Sequence, residues 1–284
     1  MRLTVGGCQL ASATGAVEQN LARIEQAART AKESAPDLAL FALPELAVTG
    51  YCCGPAFHDL AARWPDGGCL PRLARLAKEL GTALVVGFAE AGPAYGVTAD
   101  SAAVFGSDGS PLGVYRKTHC LDRERRYFVN GDSLPLFDLD GVRFGVAICW
   151  DLAMPEVART YALAGADLLV GIGAWEDPYG DDWELAVAAR AFDNVLPVLA
   201  VNRSGREVER AEDREEAVSF PGRSLLVDCL GKPLARLDGS EDAVLVGAVD
   251  LDHTRAVRRE YGSQLRDRRP DLYGRLTLPP LEEP

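Results

Sequence analysis

The sequence lacks the features that mark membrane and secreted proteins. No stretch of its 284 residues approaches the roughly 20 consecutive apolar residues that a membrane-spanning helix needs. Residues 1–5 lead directly into a predicted strand, without the apolar region and cleavage site of a signal peptide. We therefore expect a cytoplasmic protein that has no membrane partner.

Positive charge is also scarce. The chain has 30 Lys and Arg against 42 Asp and Glu, a formal net charge of -12. Nucleic acids are bound by clustered basic side chains. The one basic run, residues 123–126, is short and is interrupted by Glu124. We therefore expect no nucleic-acid partner.

The cysteines do not form the pattern of a disulfide framework or a zinc site. There are seven, an odd number, and no two have the C-x-x-C spacing. Most buried cysteines behave as small apolar residues, although one of these could be a nucleophile. We predict no metal and no cofactor.

Short apolar runs alternate with amphipathic segments, a pattern that predicts an α/β fold with sheets covered by helices. Turn chemistry at residues 106–110 and 231–232 predicts two hairpins. Because no Pro/Gly/Ser-rich linker divides the chain, residues 1–262 are predicted to form one domain. Residues 263–284 are predicted to be a tail or an oligomerisation arm.

The predicted strands cover residues 3–10, 38–43, 81–89, 101–105, 112–116, 142–148, 167–172, 197–201, 224–228, 233–237 and 243–249. The predicted helices cover residues 17–32, 70–80, 155–164 and 182–194.

Polar residues with complementary chemistry follow three of these strands. Glu45 follows strand 38–43, Lys117 ends the strand of the first hairpin and Cys149 follows strand 142–148. In open α/β sheets, ligands bind outside the carboxyl ends of the strands. An acid, an ammonium and a thiol at one such edge form a candidate hydrolytic set.

Cys149 has the sequence context of a nucleophile. It lies at a predicted tight turn between a strand and a helix, which would expose the sulfur and offer the Trp150 N–H to an oxyanion. A nearby cation lowers the cost of forming a thiolate, and Lys117 could be that cation. His119 is the only histidine near the set, so a Cys–His pair has less support. Each residue alone also fits a structural role: a buried thiol, a helix cap or a solvated strand end.

Three segments resemble the signature segments of the nitrilase (carbon–nitrogen hydrolase) superfamily: residues 43–46 (LPEL), 115–119 (YRKTH) and 145–151 (GVAICWD). Residues 155–159, 189–194, 202–205 and 220–224 resemble further family segments, so that the resemblance covers about residues 1–260. It implies a nitrilase-like α/β fold: a four-layer α-β-β-α sandwich of two stacked mixed sheets. It also implies assembly into a homodimer or a larger homo-oligomer.

The resemblance implies a mechanism residue by residue. Cys149 would attack the substrate carbonyl carbon to form a thioester acyl-enzyme, and Glu45 would act as the general base. Lys117 and the Trp150 N–H would stabilise the oxyanion. A second glutamate of the family positions the substrate; Glu124 is the candidate, and a salt-bridged acid in a loop is the alternative.

The residues after the nucleophile resemble the amidase and carbamoylase branches. The implied reaction releases ammonia from an amide or N-carbamoyl group of a small molecule. Three alternatives remain: a nitrilase that forms a carboxylic acid, a catalytically silent scaffold of the same fold, and an ammonia-supplying glutaminase domain, which would need an attached synthetase. Asp151 has a second explanation as the cap of the following helix.

Aromatic and basic residues near these segments are candidates for binding substrate. Trp175, Tyr51 and Phe128 are expected to line the pocket, with packing in the core or at the pocket rim as the alternative. An arginine could bind a substrate carboxylate, and the sequence does not choose among Arg123, Arg125, Arg126 and Arg203.

Overall fold

The structure is a computed structural model that describes residues 1–211, 214–261 and 263–278. The strands are β1 (Arg2–Gln9), β2 (Leu40–Ala42), β3 (Ala83–Ala91), β4 (Thr98–Phe105), β5 (Pro111–Arg116), β6 (Leu136–Leu139), β7 (Val142–Ile148), β8 (Leu168–Gly173), β9 (Val198–Asn202), β10 (Ser204–Ala211), β11 (Arg214–Pro221), β12 (Leu225–Val227), β13 (Pro233–Arg236) and β14 (Ala243–Asp250). The helices are α1 (Val17–Ser34), α2 (Phe57–Leu60), α3 (Leu70–Leu80), α4 (Pro155–Ala164), α5 (Gly180–Asn194), α6 (Leu251–Tyr261) and α7 (Ser263–Arg266).

Twelve of these strands form two mixed sheets. The first sheet has the order β14-β1-β2-β3-β4-β5, and the second has the order β13-β12-β9-β8-β7-β6. In each sheet the three central strands are parallel, and the outer strands are antiparallel to their neighbours. β10 and β11 pair with each other as a separate two-stranded ribbon.

The two sheets face each other across one apolar core. Val5 and Val85 of the first sheet lie in the same buried cluster as Val146, Val170 and Val201 of the second. Such near-continuous apolar strands are expected where both faces of a sheet are covered. Helices α1 and α3 cover the outer face of the first sheet, and α4 and α5 cover that of the second. The predicted four-layer α-β-β-α sandwich is confirmed.

The predicted elements agree with the structure wherever apolar periodicity is strong. Both predicted hairpins form, and the bounds of α3, α4 and β7 agree at both ends. The elements that were not predicted are β6, the β10–β11 ribbon, α6 and the short helices α2 and α7. The ribbon carries many charged side chains, several of them exposed, because only part of its surface packs against the domain. Its sequence therefore lacks the apolar signal of a core strand.

The segment after α6 contacts the domain. Leu265 packs against the large buried cluster, which includes residues of α4 and α5, and Nη1 of Arg159 donates to the carbonyl of Gln264 at 2.7 Å. Residue 262, where the domain was predicted to end, and residues 279–284 lie outside the described residues, so this division of the chain stays a prediction. No helix in the described segments is long and apolar enough to cross a lipid bilayer.

Candidate active site

A buried cluster of charges surrounds the ammonium of Lys117, just after β5. Its Nζ atom lies 2.6 Å from Oε1 of Glu45 and 2.7 Å from the carboxylate of Glu124. An oxygen of Asp100 lies 3.7 Å away. All four side chains are almost completely buried. Burial lowers the pKa of Lys117, but the surrounding carboxylates outweigh it and hold that pKa well above its usual value. Lys117 is therefore a cation.

Glu45 reaches this cluster from the turn that follows β2. Gly87 of β3 lies directly under that turn, and a Cβ atom at this glycine would lie 2.2 Å from the carbonyl oxygen of Pro44. Any larger residue at position 87 would displace the turn. The glycine thus allows the close approach that places the Glu45 carboxylate on Lys117.

Glu124 is held in the same cluster by two further donors. The Tyr51 hydroxyl donates to its Oε1 at 2.7 Å, and the Leu121 N–H donates to its Oε2 at 2.7 Å. Its pKa is raised by burial, although Lys117 acts against this. The predicted residues Glu45, Lys117, Glu124 and Tyr51 therefore lie together. The alternative for Glu124 was a salt-bridged acid in a loop. That alternative accounts for the contact with Lys117, but it does not account for the burial of Glu124 beside Glu45.

Cys149 begins a single turn of 3-10 helix, Cys149–Ala153, directly after β7. Its φ of +50° lies in the left-handed region, which residues other than glycine seldom adopt. This backbone conformation produces the sharp strand-to-helix turn of a nucleophile elbow. The thiol is almost completely buried, and the Ala174 N–H donates to its sulfur.

Lys117 lowers the pKa of the Cys149 thiol, as expected of a nearby cation, but other groups outweigh this effect. Burial and the nearby Glu45 carboxylate raise the pKa of the thiol well above its usual value, and the opposing effect of Lys117 is smaller. Because Lys117 is paired with the carboxylates of Glu45 and Glu124, its positive charge is largely balanced and stabilises a thiolate only weakly. The resting nucleophile is a neutral thiol that needs a base.

Asp151 does not cap the following helix, contrary to one of its two predicted explanations. The residue before α4 is Met154, and no side chain caps that helix. Oδ2 of Asp151 instead accepts from the Tyr115 hydroxyl at 2.6 Å and the Ile148 N–H at 3.0 Å. Its Oδ1 contacts the hydroxyl of Thr118 and the backbone and ring nitrogens of His119 at 2.9–3.0 Å. Asp151 thus connects the lysine segment to the nucleophile turn.

A cavity of about 900 Å³ opens above Cys149. Trp150 and Trp175 form an aromatic wall with ring centroids 5.8 Å apart, and Tyr51 also lines the cavity. Asn202 holds the backbone of Trp175 through two hydrogen bonds, of 2.8 and 3.1 Å. The cavity is in the size range of small-molecule sites. The predicted residues Tyr51, Trp150 and Trp175 therefore border the nucleophile.

Phe128 does not line this cavity. It packs in a buried cluster with Phe57, at a distance of 4.6 Å between ring centroids. Phe128 therefore has the alternative role, packing in the core. Three of the four candidate arginines also lie elsewhere. Arg203 is buried against Glu207 and backbone carbonyls, while Arg125 and Arg126 do not border the cavity.

Charged groups also line the cavity, and most of them were not identified from the sequence. Arg123, a predicted candidate, lines it but contacts Glu176 at 2.5 Å and Glu209 at 2.6 Å. Asp182 and Arg190 of α5 line the same cavity. Asp182 and Arg190 lie about two turns apart on α5. Because this helix was predicted, their helical spacing could have placed them on one face.

Asp100 was also missed, although the hairpin register could have identified it. Ser101 pairs with Arg116 across β4 and β5, so Asp100 lies opposite Lys117, whose N–H donates to the Asp100 carbonyl at 2.8 Å. Among the described residues, Glu45, Asp100 and Glu124 are the one group whose spacing could suit a metal ion. The ammonium of Lys117 lies 2.6–3.7 Å from all three carboxylates and supplies a cation there. The absence of a metal stays a prediction.

Comparison with known proteins gives concordant matches over nearly the whole chain. The sequence profile of the carbon-nitrogen hydrolase family matches residues 4–259. A Schizosaccharomyces pombe protein named as a probable nitrilase is 37% identical, over 98% of this chain and 100% of that protein. N-carbamoylputrescine amidase of Solanum lycopersicum is 35% identical, over 95% of this chain and 93% of the plant enzyme. The crystal structure of a carbon-nitrogen hydrolase from Helicobacter pylori G27 superposes with a TM-score of 0.89 at 30% identity, over 98% of this chain and 99% of that one.

Proposed function

Because this chain belongs to the carbon–nitrogen hydrolase family, we propose that Cys149 is its nucleophile, Glu45 its general base and Lys117 its oxyanion-stabilising cation. The protein is an amidase-type hydrolase that cleaves a non-peptide C–N bond of a small molecule. One observation carries the assignment of residues. Lys117 bridges the buried carboxylates of Glu45 and Glu124 beside a buried thiol at the base of the cavity.

The neutral state of the thiol determines the first step. Glu45 accepts the thiol proton as the Cys149 sulfur attacks the substrate carbonyl carbon. The developing oxyanion is stabilised by the Lys117 ammonium and the Trp150 N–H. Glu45 then donates its proton to the departing nitrogen, so that the tetrahedral intermediate collapses to a thioester and releases ammonia. In the second half of the cycle Glu45 deprotonates a water molecule, which hydrolyses the thioester.

Glu124 has a positioning role in this scheme. It accepts hydrogen bonds from Lys117, Tyr51 and the Leu121 N–H, and it therefore fixes the ammonium relative to Glu45. Tyr51 and the Trp150–Trp175 wall border the bound substrate. A fixed ammonium keeps the oxyanion site preorganised, which is where such sites gain most of their effect.

We place the substrate among small amides and N-carbamoyl compounds. The N-carbamoylputrescine amidase relative supports a carbamoyl group, and the cavity volume supports a small molecule. The second candidate is a nitrile, supported by the name of the Schizosaccharomyces pombe relative. The same sulfur would then attack a nitrile carbon and form a thioimidate.

The experiment is ammonia release from a panel of amides, N-carbamoyl compounds and nitriles. Wild type is compared with Cys149→Ala, and Cys229→Ala is the matched control because Cys229 is equally buried but lies in a different cluster. We expect release from amides or carbamoyl compounds that Cys149→Ala abolishes and Cys229→Ala preserves. Release from nitriles alone would establish the second candidate. A folded wild type without turnover or acyl-enzyme on any compound would instead support a silent scaffold.

We propose that the protein acts as a homodimer or a larger homo-oligomer. Leu163 of α4 and Leu185 and Phe192 of α5 are about half exposed or more, and the two helices pack side by side. Exposed apolar residues grouped in this way favour association. Light scattering coupled to size exclusion should give at least twice the chain mass of 30.5 kDa, and Leu185→Glu should lower the measured mass. A wild-type monomer would contradict the proposal.

A further inference from the structure

The charged cluster holds more carboxyl groups than its cation can balance. Glu45, Asp100 and Glu124 have oxygen atoms within 4.8 Å of one another, all buried, around the single ammonium of Lys117. If all three acids were ionised, the buried cluster would carry two uncompensated negative charges. Buried charge without a partner is costly, and acids in this position take up a proton instead.

Hydrogen-bond donors identify the acid that holds the proton. Glu124 accepts from three groups and Glu45 accepts from Lys117 at 2.6 Å, all of which favour the ionised forms. Among the described residues, no donor reaches either oxygen of Asp100, and none reaches Oε2 of Glu45. Oxygen atoms of the Asp100 and Glu45 carboxyl groups lie within 4.8 Å of each other. A single proton on Asp100, donated to Oε2 of Glu45, would give both carboxyl groups a hydrogen-bond partner.

We propose that Asp100 is a positioning residue of the active site, whose protonated carboxyl donates a hydrogen bond to Oε2 of Glu45. Lys117 holds one oxygen of the base, and Asp100 holds the other, so that the carboxylate cannot rotate away from the nucleophile. This inference rests on the proposed role of Glu45 as the general base.

The surroundings of Asp100 agree with this arrangement. The groups that face Asp100 are Glu45 from the turn after β2, Lys117 after β5, Glu124 and Cys120. Burial raises the pKa of the Cys120 thiol, and Asp100 raises it further. Burial, followed by the Glu45 carboxylate, raises the pKa of Asp100 well above its usual value. Asp100 therefore keeps its proton to a higher pH than an exposed aspartate does, because its ionisation would form a second negative charge beside Glu45.

Two substitutions distinguish the effect of the hydrogen bond that Asp100 donates from the effect of the ionisation of Asp100. Asp100→Asn keeps a donor in place but cannot ionise, whereas Asp100→Ala removes the donor. We expect wild-type kcat/KM to fall as rising pH removes this proton. Asp100→Asn should retain kcat within about threefold and should lack this fall. Asp100→Ala should lower kcat about tenfold to a hundredfold with little change in KM. Ser101→Ala, an equally buried change on the opposite face of β4, should leave the pH profile unaltered.

Infrared spectroscopy tests the proton directly and does not depend on turnover. At neutral pH wild type should show the C=O stretch of a protonated carboxylic acid, and Asp100→Asn should lack it. A stretch that persists in Asp100→Asn would place the proton on another acid and overturn the proposal, as would identical pH profiles for wild type and this variant. If wild type hydrolyses no compound of the panel, the proposed function fails, while the infrared result still decides where the proton lies.

Discussion

The two six-stranded sheets contribute different kinds of group to the active site. Strands and turns of the first sheet supply the ionisable groups of the buried cluster: Glu45 after β2, Asp100 on β4 and Lys117 after β5. The second sheet supplies the thiol of Cys149 after β7 and the wall residue Trp175 after β8. The first group is held by ion pairs, and the second is held by backbone geometry and apolar packing.

This difference has a physical reason. Buried charges are tolerated only when each has a close partner, so the groups of the first sheet must hold one another in place. A neutral thiol and an indole ring need no such partners, and the second sheet can set their positions through the turn at Cys149 and through contacts with Trp183. Changes to the charged groups of the first sheet should therefore alter stability and rate together, whereas changes to Cys149 should alter rate and changes to Trp175 should alter specificity.

The largest effect is expected for Lys117→Met, which removes the cation of the first sheet. Loss of an oxyanion donor lowers kcat by about 100- to 1,000-fold. The two glutamates would be left buried without their partner, which typically costs about 3–5 kcal/mol. Both quantities can be measured, by ammonia release and by urea unfolding monitored with circular dichroism.

Two comparisons make the Lys117 result specific. Lys232→Met, at an exposed turn between β12 and β13, should change neither quantity. Cys149→Ala should abolish turnover with little change in stability, because it removes a neutral group. If Lys117→Met kept more than about a tenth of wild-type activity, the ammonium would not be part of the oxyanion site.

An intermediate effect is expected for Asp151→Asn, which affects the connection between the sheets. The carboxylate contacts donors from Tyr115, Thr118, His119 and the Ile148 N–H. An amide of the same shape has one accepting oxygen in place of two, so at least one buried donor loses its partner, at about 1–3 kcal/mol. Displacement of the nucleophile turn relative to Lys117 should lower kcat about tenfold to a hundredfold.

The measurement for Asp151→Asn is kcat and KM together with urea unfolding. Asp181→Asn, an exposed change at the first turn of α5, is the matched control and should leave activity unaltered. A fall in stability without any change in kcat would show that the Asp151 network supports the fold alone.

Sequence patterns predicted the parts of the molecule that depend on local chemistry. Continuous apolar runs located the central strands, and polar residues at strand ends located Glu45, Lys117 and Cys149. The pattern could not reveal that Asp151 bonds to a segment thirty residues away, because a cap on the next helix fits the local sequence equally well. It also could not give the direction of the Cys149 pKa shift, which depends on burial and on carboxylates from distant segments.

The smallest effect on rate, and the largest on specificity, is expected for Trp175→Ala. The ring lies between Trp150 and Trp183, with centroid distances of 5.8 and 5.7 Å, and borders the cavity above the nucleophile. Its removal enlarges the cavity without touching the charged cluster. We expect kcat/KM for the smallest amides to change by less than about tenfold, while larger apolar substrates gain relative to them.

The ratio of kcat/KM values across the panel is the decisive quantity for Trp175, because it does not depend on how much of the enzyme is folded. Truncation of a buried tryptophan can cost about 3–5 kcal/mol, so activity on one substrate would mix stability with recognition. Trp64→Ala is the matched control: this ring packs against Phe105 on the outer side of the first sheet, away from the cavity. It should lower stability and leave the ratios unaltered. Unchanged ratios in Trp175→Ala would mean that this wall does not select the substrate, and the choice would then fall to the charged residues Arg123, Glu176 and Arg190 that line the cavity.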